Sequence, residues 1–592
     1  MPMRFTALRE FVQYLEKNGE LHRIRVEVDP RLEITEIAVR ALREGKPALL
    51  FEKVRGSKYP LVINTLASER RIELALGEHP DNLGEQLIAF AERAIPPSPS
   101  TLLRHRKVVR RLISSRTSDI SIAPSQEVVE NPNLGELPVL QCWPHDGGRF
   151  LTLPQVFTYD PATGRRNVGM YRMQVFDGKT TGMHWQIQKG GGFHFFRSMK
   201  MDRPLEVAVA LGTDPAFLLA TVAPLPEGID EAMFAGFLRK RPTQLVGGRS
   251  ISISVPANAE FVLEGTVPPK ERRSEGPFGD HFGHYSAAAE FPVFHLSAIT
   301  HRKNPIYPAT VVGIPPMEDK FLGDATQKIL GPLAKLLHTE VRSLWAYYEA
   351  GFHNLLAVSI EERYQKEGMK TALGLLGTQQ LSLTKCLVTV PQETDPRDFR
   401  AVLAAIRENF DPHFDFMLLP KVPLDTLDFT SYTMNLGSKM IIDATKKTRT
   451  RSRAHITKKS EHFLTHLSEE DRRIIDSHLV ENALLVVKVK HDGGAVLKRL
   501  LKSPLLDGVK LLAVVSEDVD IHRPESYIWG IFTRFDCERD VLFREQKLVG
   551  ISPVYRGTLG IDATWKPGYP EPLVMDEKII RHVDHRWDEY WK

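Results

Sequence analysis

Cysteine is scarce in this chain, with only Cys142, Cys386 and Cys537 among 592 residues. The three lie far apart and form no Cys-x-x-Cys pair, which argues against a disulfide framework and favours a reducing compartment. Cys386 and Cys537 lie in apolar, strand-like segments, so we predict that both are buried thiols.

Neither sign of charge dominates, since 78 Lys and Arg residues balance 74 Asp and Glu residues to a net charge of +4. The total therefore gives no reason to expect an acidic polymer as partner, and we expect no binding of nucleic acid. The basic stretches RHRKVVRR (104–111) and KKTRTRSR (446–453) are interpreted as solvated faces. Contact with a phosphate is the alternative, more so for the second stretch.

Long apolar runs are also missing. The sequence contains no run of 18 apolar residues and no N-terminal signal pattern. We therefore expect no transmembrane segment and a cytoplasmic protein.

What the sequence does contain is a globular composition, with 42% hydrophobic and 26% charged residues. A chain of 592 residues is too long for one core, so several domains are expected. Alternating helical and strand-like segments predict an α/β domain over 1–120, which opens with a helix capped by Thr6 and ended by Gly19. Short apolar runs between Gly and Pro turns predict a β-rich barrel or sandwich over 121–325, followed by a helical linker over 326–350.

The C-terminal third of the sequence repeats itself. Val390 and Phe410 recur 125 positions later as Val515 and Phe535, and the IDAT of 442–445 recurs at 561–564. Each copy is predicted to run strand, helix, strand, helix and IDAT turn. We therefore predict an α/β unit present in two copies, over 351–450 and 480–566, with a tail over 567–592. Chance similarity of two α/β units is the alternative.

One short stretch carries an unusual set of groups. In EGPFGDHFGHY (275–285), Glu275 and Asp280 flank a turn that contains two glycines and a proline, and two histidines follow, His281 and His284. The glycines and the proline favour neither a helix nor a strand interior. Two fixed carboxylates beside groups that titrate near neutral pH are suited to moving protons. A solvated acidic loop is the alternative.

Three further stretches of the β-rich region are polar. Asn167 and Arg172 lie five positions apart in RRNVGMYRMQ, which we predict to be one strand with alternating apolar residues. Gly190 to Gly192 form a predicted turn in GMHWQIQKGGGFHF, and Glu231 opens a predicted helix in DEAMFAGFLRK. Asn and Glu oxygens are hard ligands for Mg²⁺ or Mn²⁺. An arginine beside two carboxylates can hold an anionic substrate while protons move. Each feature alone also has an ordinary structural explanation, such as a Glu in the first turn of a helix.

Taken in order, NVGMYRMQ, GMHWQIQKGG, DEAMFAG, EGPFGDHFGHY and GSKMIIDATKK resemble the UbiD family of reversible aromatic-acid decarboxylases. The likeness runs from the N-terminal helix to IDAT, and WKPGYPEPLVMDEKI is similar to the family's C-terminus. The length, together with CWPHDGGRFLTLPQVFTYDP and TTGMHWQ, is most similar to the longer members assigned to menaquinone biosynthesis.

The resemblance implies a split β-barrel of the flavin-reductase kind between α/β regions. It also implies a prenylated FMN cofactor and a Mn²⁺ or Mg²⁺ ion at its phosphate, often with K⁺. Asn167 and Glu231 match metal ligands of the family, and Gln188 stands where the third ligand is usually a histidine. Gln188 can offer an amide oxygen but not the basicity of imidazole, and His184 is an alternative ligand if the turn is rearranged. Lys439 is a candidate contact of the cofactor phosphate.

Arg172, Glu275 and Asp280 match the family's catalytic arginine, glutamate and acid. We hypothesise that Asp280 protonates the carbon that loses CO₂, which requires a pKa raised by burial. Glu275 and Arg172 then orient the substrate or the cofactor edge, and His281 and His284 support them. The substrate is expected to be an aromatic carboxylic acid, with a fused-ring acid of a quinone pathway as first choice.

The resemblance also implies a flavin prenyltransferase as cofactor supplier and a homodimer or higher homo-oligomer. Two other functions stay open from the sequence. One is an ordinary FMN oxidoreductase, although no strand-linked GxGxxG is evident. The other is an inactive subunit of a decarboxylase complex, which the departure at Gln188 favours and the retention of Arg172, Glu275 and Asp280 opposes.

Overall fold

The structure is a computed structural model that describes residues 5–93, 98–186, 190–225, 228–447 and 461–592. The chain divides into two compact units. Met1–Ile329 and Glu571–Lys592 form the first unit, and Leu330–Pro570 form the second. The mixed α/β class that the sequence predicts is confirmed.

The first unit contains most of the strands and helices that surround the polar stretches. Its strands are β1 (Leu21–Val28), β2 (Ala48–Val54), β3 (Leu61–Ile63), β4 (Thr117–Asp119), β5 (Val128–Glu130), β6 (Phe150–Leu151), β7 (Gln155–Tyr159), β8 (Arg166–Met170), β9 (Met173–Gln174), β10 (Thr180–Gly182), β11 (Leu205–Leu211), β12 (Thr243–Gly247), β13 (Ser254–Pro256), β14 (Phe261–Val267), β15 (Arg272–Glu275), β16 (Phe278–Gly279), β17 (Tyr285–Ser286), β18 (Ala289–His301) and β19 (Tyr307–Ala309). Its helices up to residue 330 are α1 (Leu8–Lys17), α2 (Glu33–Arg43), α3 (Glu69–Leu76), α4 (Pro80–Ala91), α5 (Pro99–Arg104), α6 (Arg106–Ser114), α7 (Gly190–Lys200), α8 (Pro215–Val222), α9 (Glu231–Arg239) and α10 (Glu318–Leu330).

A large antiparallel sheet forms the centre of this unit. Its strands follow the order β10-β18-β14-β11-β7-β8, and β15 and β5 also pair with β18. Strand β11 reads LEVAVAL, is buried along nearly its whole length, and pairs with β7 and β14 at its two edges. Among the described residues this order of strands has two free ends and does not close into a barrel, so the split barrel stays a prediction.

A smaller sheet carries the N-terminal region, in the order β1-β2-β3-β19. Helix α1 packs its buried residues Leu8, Phe11, Val12 and Leu15 on this side of the unit. The prediction that Thr6 caps α1 was wrong, because Ala7 is the cap residue and makes no side-chain bond. The backbone N–H of Thr6 instead donates to the Glu10 carboxylate at 2.7 Å. Gly19 follows the helix end with a φ of +73°, as a stop residue should.

The segment predicted as a helical linker, 326–350, has α-helix only at its start and ends in a short 3-10 turn over Tyr348–Ala350. Helix α10 ends at Leu330, a 3-10 turn covers Gly331–Leu336, and Val341–Ala346 is a strand. Gly331 and Pro332 interrupt the helical pattern, and the following VRSLWA forms an edge strand against a buried neighbour.

The second unit consists of two five-stranded sheets and the helices that cover them. The strands are β20 (Val341–Ala346), β21 (Leu355–Ile360), β22 (Cys386–Pro391), β23 (Phe416–Val422), β24 (Gly437–Asp443), β25 (Ile474–Val480), β26 (Leu484–Val489), β27 (Leu511–Val515), β28 (Val541–Val549) and β29 (Ser552–Ala563). The helices are α11 (Glu367–Leu375), α12 (Phe399–Asn409), α13 (Pro412–Asp415), α14 (Glu461–Glu470), α15 (Gly493–Leu500) and α16 (Pro524–Phe532).

The two sheets of the second unit have the same strand order, β20-β21-β22-β24-β23 and β25-β26-β27-β29-β28. The sense of each pairing also matches, with a parallel centre and an antiparallel strand at each edge. Central strands such as LLAVSI and CLVTVP are fully buried because helices such as α11 and α12 cover them. Cys386 and Cys537 are both buried, as predicted.

The last helix, α17 (Glu577–Tyr590), returns to the first unit and packs on α2 and β1. The buried Glu33 of α2 fixes it by accepting hydrogen bonds from Arg586 Nη1 at 2.6 Å and Tyr590 Oη at 2.7 Å. Just before this helix, residues 571–573 lie beside the loop 283–285. The N–H of Leu573 donates to Gly283 O at 2.9 Å, and the N–H of Tyr285 donates to Glu571 O at 3.2 Å.

No helix in the described parts of the chain is long and apolar enough to cross a membrane. Of the two basic stretches, 104–111 spans the end of α5 and most of α6, where Arg111 is buried and pairs with Glu78. Residues 448–453 of the other basic stretch lie outside the described residues.

Candidate active site

The stretch EGPFGD forms a tight turn between β15 and β16. Gly276 has a φ of +100°, which favours glycine, and its N–H donates to the Gln174 side-chain oxygen at 2.7 Å. The N–H of Gly279 donates to the buried Asp146 carboxylate at 2.8 Å. A Cβ on Gly279 would collide with the ring of Trp143, so the turn is packed as well as hydrogen-bonded.

This turn brings Glu275 and Asp280 to the same arginine. Arg172 Nε donates to Glu275 Oε1 at 3.3 Å, and its Nη1 donates to Asp280 Oδ2. Glu275 is fully buried, and the Arg172 guanidinium also lies 4.8 Å from the centre of the Phe278 ring. The three residues that the sequence predicts as catalytic are therefore in direct contact.

The charge state of Asp280 differs from the sequence-based expectation. Burial raises the pKa of this carboxyl, as expected, but hydrogen bonds from His281 and the positive charge of Arg172 outweigh burial. The pKa of Asp280 therefore lies well below its ordinary value of 3.8. His281 Nδ1 lies 2.9 Å from Asp280 Oδ1. In this arrangement Asp280 is a carboxylate at neutral pH.

His184 completes the network from the other side of Glu275. Its Nδ1 lies 2.9 Å from Glu275 Oε1, and its ring packs on Phe291. Burial, helped by the nearby positive charge of Arg172, lowers the pKa of His184 below its ordinary value. The ring is thus neutral, and a proton on Nδ1 that bonds Glu275 leaves the lone pair on Nε2.

Buried polar atoms without partners are concentrated around this network. Of the 19 such atoms among the described residues, six belong to the residues of this network and its neighbours: Asn167 Nδ2, Arg172 Nη2, Thr181 Oγ1, His184 Nε2, Trp185 Nε1 and Glu275 Oε2. Each such atom costs about 1–3 kcal/mol if nothing pairs with it. Donors and acceptors in one region therefore indicate a site for a polar ligand, and a flavin with its phosphate offers both kinds of partner.

Asn167 and Glu231 form a second polar corner. Glu231 opens α9, as predicted, and its Oε2 accepts from the N–H of Val168 at 2.9 Å. Burial raises the pKa of Glu231 to about 7. The neighbouring Arg166 pairs with Asp230, and no ion pair to Glu231 is present among the described residues. The Glu231 carboxylate bonds the amide of Val168, the residue after Asn167, so a carboxylate oxygen and the Asn167 amide oxygen are candidate hard ligands for a divalent metal.

The third predicted ligand, Gln188, lies outside the described residues, which break off between 186 and 190. Its role as ligand therefore stays a prediction. In the described part of the chain, no three His, Cys, Asp or Glu side chains cluster as a metal site. His184, the alternative ligand, is bonded to Glu275 through Nδ1.

Two local predictions around this corner were wrong. Gly190, Gly191 and Gly192 do not form a turn but begin α7. A Cβ on Gly190 or Gly191 would collide with Asn167 or Trp185, so close packing requires glycine at these two positions. Asn167 and Arg172 do not share one strand, since β8 ends at Met170 and the chain turns at Tyr171, whose ring packs over Gly169. Arg172 therefore lies between β8 and β9.

Lys439 and His284 are the remaining residues that the sequence predicts for the site. Lys439 belongs to the second unit, where its ammonium donates to the carbonyls of Ser382 at 2.6 Å and Thr384 at 2.8 Å, and burial lowers its pKa to about 8. A contact with a cofactor phosphate stays a prediction. His284 is buried, with Nδ1 3.1 Å from Phe282 O, and supports the loop after Asp280.

Sequence reasoning missed the residues that hold the site together. Gln174 bonds both Gly276 and Gly147 and lies two residues after Arg172, so the polar end of RRNVGMYRMQ was a usable signal. Asp146, whose pKa burial raises to about 7, accepts amide protons from Cys142, Trp143 and Gly279. Nothing in the local sequence distinguishes Asp146 from an ordinary turn residue.

Comparison with protein families places this geometry in a known context. The chain matches three family models, each described as a domain of 3-octaprenyl-4-hydroxybenzoate carboxy-lyase. These are the N-terminal domain over 12–91, the Rift-related domain over 116–315, and the C-terminal domain over 320–444 and 464–563.

Relatives and solved structures agree with this match. An uncharacterised protein of Archaeoglobus fulgidus is 47% identical over 76% of this chain and 93% of its own length. A 4-hydroxybenzoate decarboxylase subunit of Chlamydia pneumoniae is 36% identical over 99% and 98%. The closed form of the vanillic acid decarboxylase of Sedimentibacter hydroxybenzoicus has a TM-score of 0.68 and 28% identity, covering 77% of this chain and 96% of that one. An evolved dimeric form of HmfF from Pelotomaculum thermopropionicum, in complex with prenylated FMN, has a TM-score of 0.62 and 28% identity over 78% and 100%.

The chain therefore belongs to the UbiD family, a family of carboxy-lyases that includes prenylated-FMN enzymes. The chain is longer than these two solved members. The match covers each of them almost completely, but about a fifth of this chain has no counterpart in them.

Proposed function

We propose that this protein is a reversible, non-oxidative decarboxylase of an aromatic carboxylic acid that uses prenylated FMN. The contact of Arg172 with both Glu275 and Asp280 carries the proposal, because it joins an anion-binding group to two carboxylates that can manage a proton. Family membership supports it, since the Rift-related model covers all three residues.

The unpaired atoms of Asn167, Arg172, Thr181, His184, Trp185 and Glu275 are the groups we expect to hold the cofactor. When bound, prenylated FMN accepts the electron pair that the departing CO₂ leaves behind. A divalent Mn²⁺ or Mg²⁺ is expected to bind Asn167, Glu231 and Gln188 and to neutralise the cofactor phosphate, with K⁺ as a further ion.

The residues of this chain then handle the substrate carboxylate and the proton. Arg172 Nη2 is the donor left over in the network, so it can bind the substrate carboxylate. As Arg172 turns toward that carboxylate, Asp280 loses a stabilising cation and its pKa rises, which allows it to take up from solvent the one proton that is consumed for each CO₂ released. When CO₂ has left, Arg172 returns to Asp280 and makes it a stronger acid at the moment the carbon needs its proton.

Glu275 and His184 fix the position of this arginine. Glu275 Oε1 accepts from both side chains, and the neutral His184 ring closes one side of the buried carboxylate. A Cβ on Gly182 would collide with the Glu275 carboxylate, so a glycine is required for this approach. The burial of all three groups keeps water from competing for the proton.

For the substrate we propose a benzoic or fused-ring hydroxy acid on a quinone pathway, as in the longer members assigned to menaquinone biosynthesis. The relative from Chlamydia pneumoniae, whose length matches, is a 4-hydroxybenzoate decarboxylase subunit. We further propose a homo-oligomer in the cytoplasm that obtains its cofactor from a flavin prenyltransferase.

We also propose that the two sheets of the second unit arose by duplication. The pairing register supports this, because Cys386 lies opposite Met440 in the first sheet and Leu511 lies opposite Leu559 in the second. Leu511 follows Cys386 by 125 positions, and Leu559 follows Met440 by 119 positions. These are the two offsets that separate the repeated motifs in the sequence.

The test is native mass spectrometry with metal analysis on protein co-expressed with a flavin prenyltransferase, followed by a CO₂-release assay on a panel of aromatic acids. We expect prenylated FMN with one divalent metal and release of CO₂ from at least one acid. Plain FMN alone would favour an oxidoreductase, provided that a known family member loads correctly in the same cells. An empty, inactive protein would favour the non-catalytic subunit.

A further inference from the structure

The hairpin of β28 and β29 is a surface that the proposed chemistry does not use. Its two strands are joined at Gly550 and Ile551, whereas the equivalent strands β23 and β24 of the other sheet are shorter and are connected by residues 423–436. Beyond Phe543 the hairpin projects from its sheet, and residues 545–549 are exposed.

The end of this hairpin is apolar and exposed to an unusual degree. Leu548 is 72% exposed, Val549 60% and Ile551 99%. Exposed aliphatic residues are ordinary when they are scattered, but three within four positions at the tip of a hairpin form a patch that favours a partner.

The base of the same hairpin is positively charged. A groove of about 520 Å³ is lined by Lys498 and Lys502 of the α15 region and by Arg544, Glu545, Lys547 and Arg556 of the hairpin, among other residues. Arg544 pairs with Asp507, and Glu545 lies directly opposite Arg556 in the strand register. Across the described residues, Lys498, Lys502 and Lys547 form no ion pair with a carboxylate.

We propose that this hairpin docks the protein on an anionic membrane surface, with the apolar tip inserted among the lipids and the three lysines on the headgroup phosphates. Cations beside an exposed aliphatic tip are the combination that holds a protein at a charged lipid interface. A nucleic acid would match the cations but not the aliphatic tip. A second copy of the chain would match the tip but would place like charges together, since β28 is an edge strand with a lysine beside the tip.

The test is flotation of the full-length protein with lipid vesicles. We compare vesicles of phosphatidylcholine with vesicles that also contain about 30 mol% phosphatidylglycerol. We expect at least about tenfold more bound protein on the anionic vesicles, and a loss of most of this excess when NaCl rises from about 0.05 M to about 0.5 M. A high concentration of soluble inorganic phosphate, at constant ionic strength, should not displace the protein from them.

Two variants separate the contributions of the tip and the lysines. Ile551→Asp should weaken anionic-vesicle binding at least about tenfold. The triple variant Lys498→Glu, Lys502→Glu, Lys547→Glu should weaken it about 100-fold, at about fivefold per lysine. Because all four side chains are exposed, thermal unfolding should not change.

The matched controls are Ile122→Asp, at another isoleucine that is 88% exposed, and Lys421→Glu on the equivalent strand β23. Neither control should change binding. Equal binding to both kinds of vesicle, or anionic-vesicle binding that Ile551→Asp leaves intact, would overturn the proposal. Self-association in sedimentation that Ile551→Asp abolishes, without any vesicle binding, would also overturn it and assign the tip to a second copy.

Discussion

Asp280 is a buried carboxyl group of the first unit and Glu231 is a half-buried one, and their pKa values move in opposite directions. Asp280 is held by Arg172 and His281, which keep its pKa well below the ordinary value. Glu231 accepts from one backbone amide, has Asp230 as a negative neighbour, and has a pKa raised to about 7. Burial raises the pKa of both groups, and the partners decide whether this effect is overcome. Arg172 and His281 overcome it at Asp280, whereas the backbone amide does not overcome it at Glu231, which suits Asp280 to proton transfer and Glu231 to a cation.

The largest effect is expected when Asp280 loses its positively charged partner, Arg172. In Arg172→Leu, two buried carboxylates lose their shared partner, so we expect CO₂ release to fall at least about 1,000-fold. The free energy of unfolding should fall by about 3–5 kcal/mol, as for other buried pairs that lose one member. Denaturant unfolding and the CO₂ assay measure the two effects. Arg273→Leu, an exposed arginine on β15, is the control and should leave both nearly unchanged.

Replacing Asp280 with a residue that cannot transfer a proton tests the proposed role of its carboxyl group. We expect Asp280→Asn to lower the rate about 100- to 10,000-fold while the cofactor still binds. The diagnostic measurement is deuterium uptake from D₂O into the product ring, without net carboxylation. The parent enzyme should catalyse this exchange and the variant should not. If the variant exchanges at the parent rate, another group delivers the proton.

The charge of Glu231 predicts a pH effect on the stability of the metal-free protein. Its folded pKa of about 7 lies above the ordinary value of 4.5, so the folded state loses stability as pH rises from 4.5 to 7. Gln cannot ionise, and Glu231→Gln should therefore be more stable than the parent at pH 8 by on the order of 1–3 kcal/mol, with no gain at pH 4.

Addition of Mn²⁺ sharpens this prediction. The metal should raise the melting temperature of the parent at pH 8 and have little effect on Glu231→Gln. Asp146→Asn is the matched control, because the pKa of Asp146 is also raised to about 7 although its carboxylate is occupied by backbone amides. Asp146→Asn should keep the response to Mn²⁺. An equal response in all three proteins would place the metal elsewhere.

The smallest effect on activity is expected from a change that weakens residues 571–573, which pair with the loop after Asp280 and make no such contact near Glu231 among the hydrogen bonds described above. Glu33→Gln weakens the attachment of α17 and thereby the pairing of residues 571–573 with the loop after Asp280. We expect a loss of about 1–3 kcal/mol in stability and a few-fold lower kcat, with unchanged Mn²⁺ affinity. Glu36→Gln on the same helix, whose partner is Arg40, is the control. An equal loss of kcat in Glu36→Gln would argue against the connection.

Several residues of the site could be predicted because they lie within short, distinctive sequence motifs. The alternation of Gly and Pro around Glu275 and Asp280 specified a turn, and the structure confirms that both carboxylates meet Arg172. The pKa of Asp280 could not be predicted, since it depends on the distances to Arg172 and His281 rather than on burial. The predicted cap at Thr6 and helix at 341–346 were wrong because neighbouring contacts, Glu10 and strand β21, outweighed local preference.

The positions of Asp146 and of the 571–573 segment could not be predicted from the sequence for a different reason. Their contacts with 276–285 join parts of the chain that are far apart in sequence, and hydrogen bonds to backbone amides leave no pattern of residue types. The repeated motifs of the C-terminal third, in contrast, recur at offsets of 125 and 119 positions and were visible without any structure.

The return of residues 571–592 to the first unit has a consequence for biosynthesis. The ribosome must add the whole of Leu330–Pro570 between the loop 283–285 and the residues that pair with it. At about 5–20 residues per second this delay lasts roughly ten to fifty seconds. During that time a nascent chain has Asp280 but lacks the neighbouring backbone that fixes its loop. A chain whose synthesis stops early, or whose tail is clipped, would lack that support for Asp280.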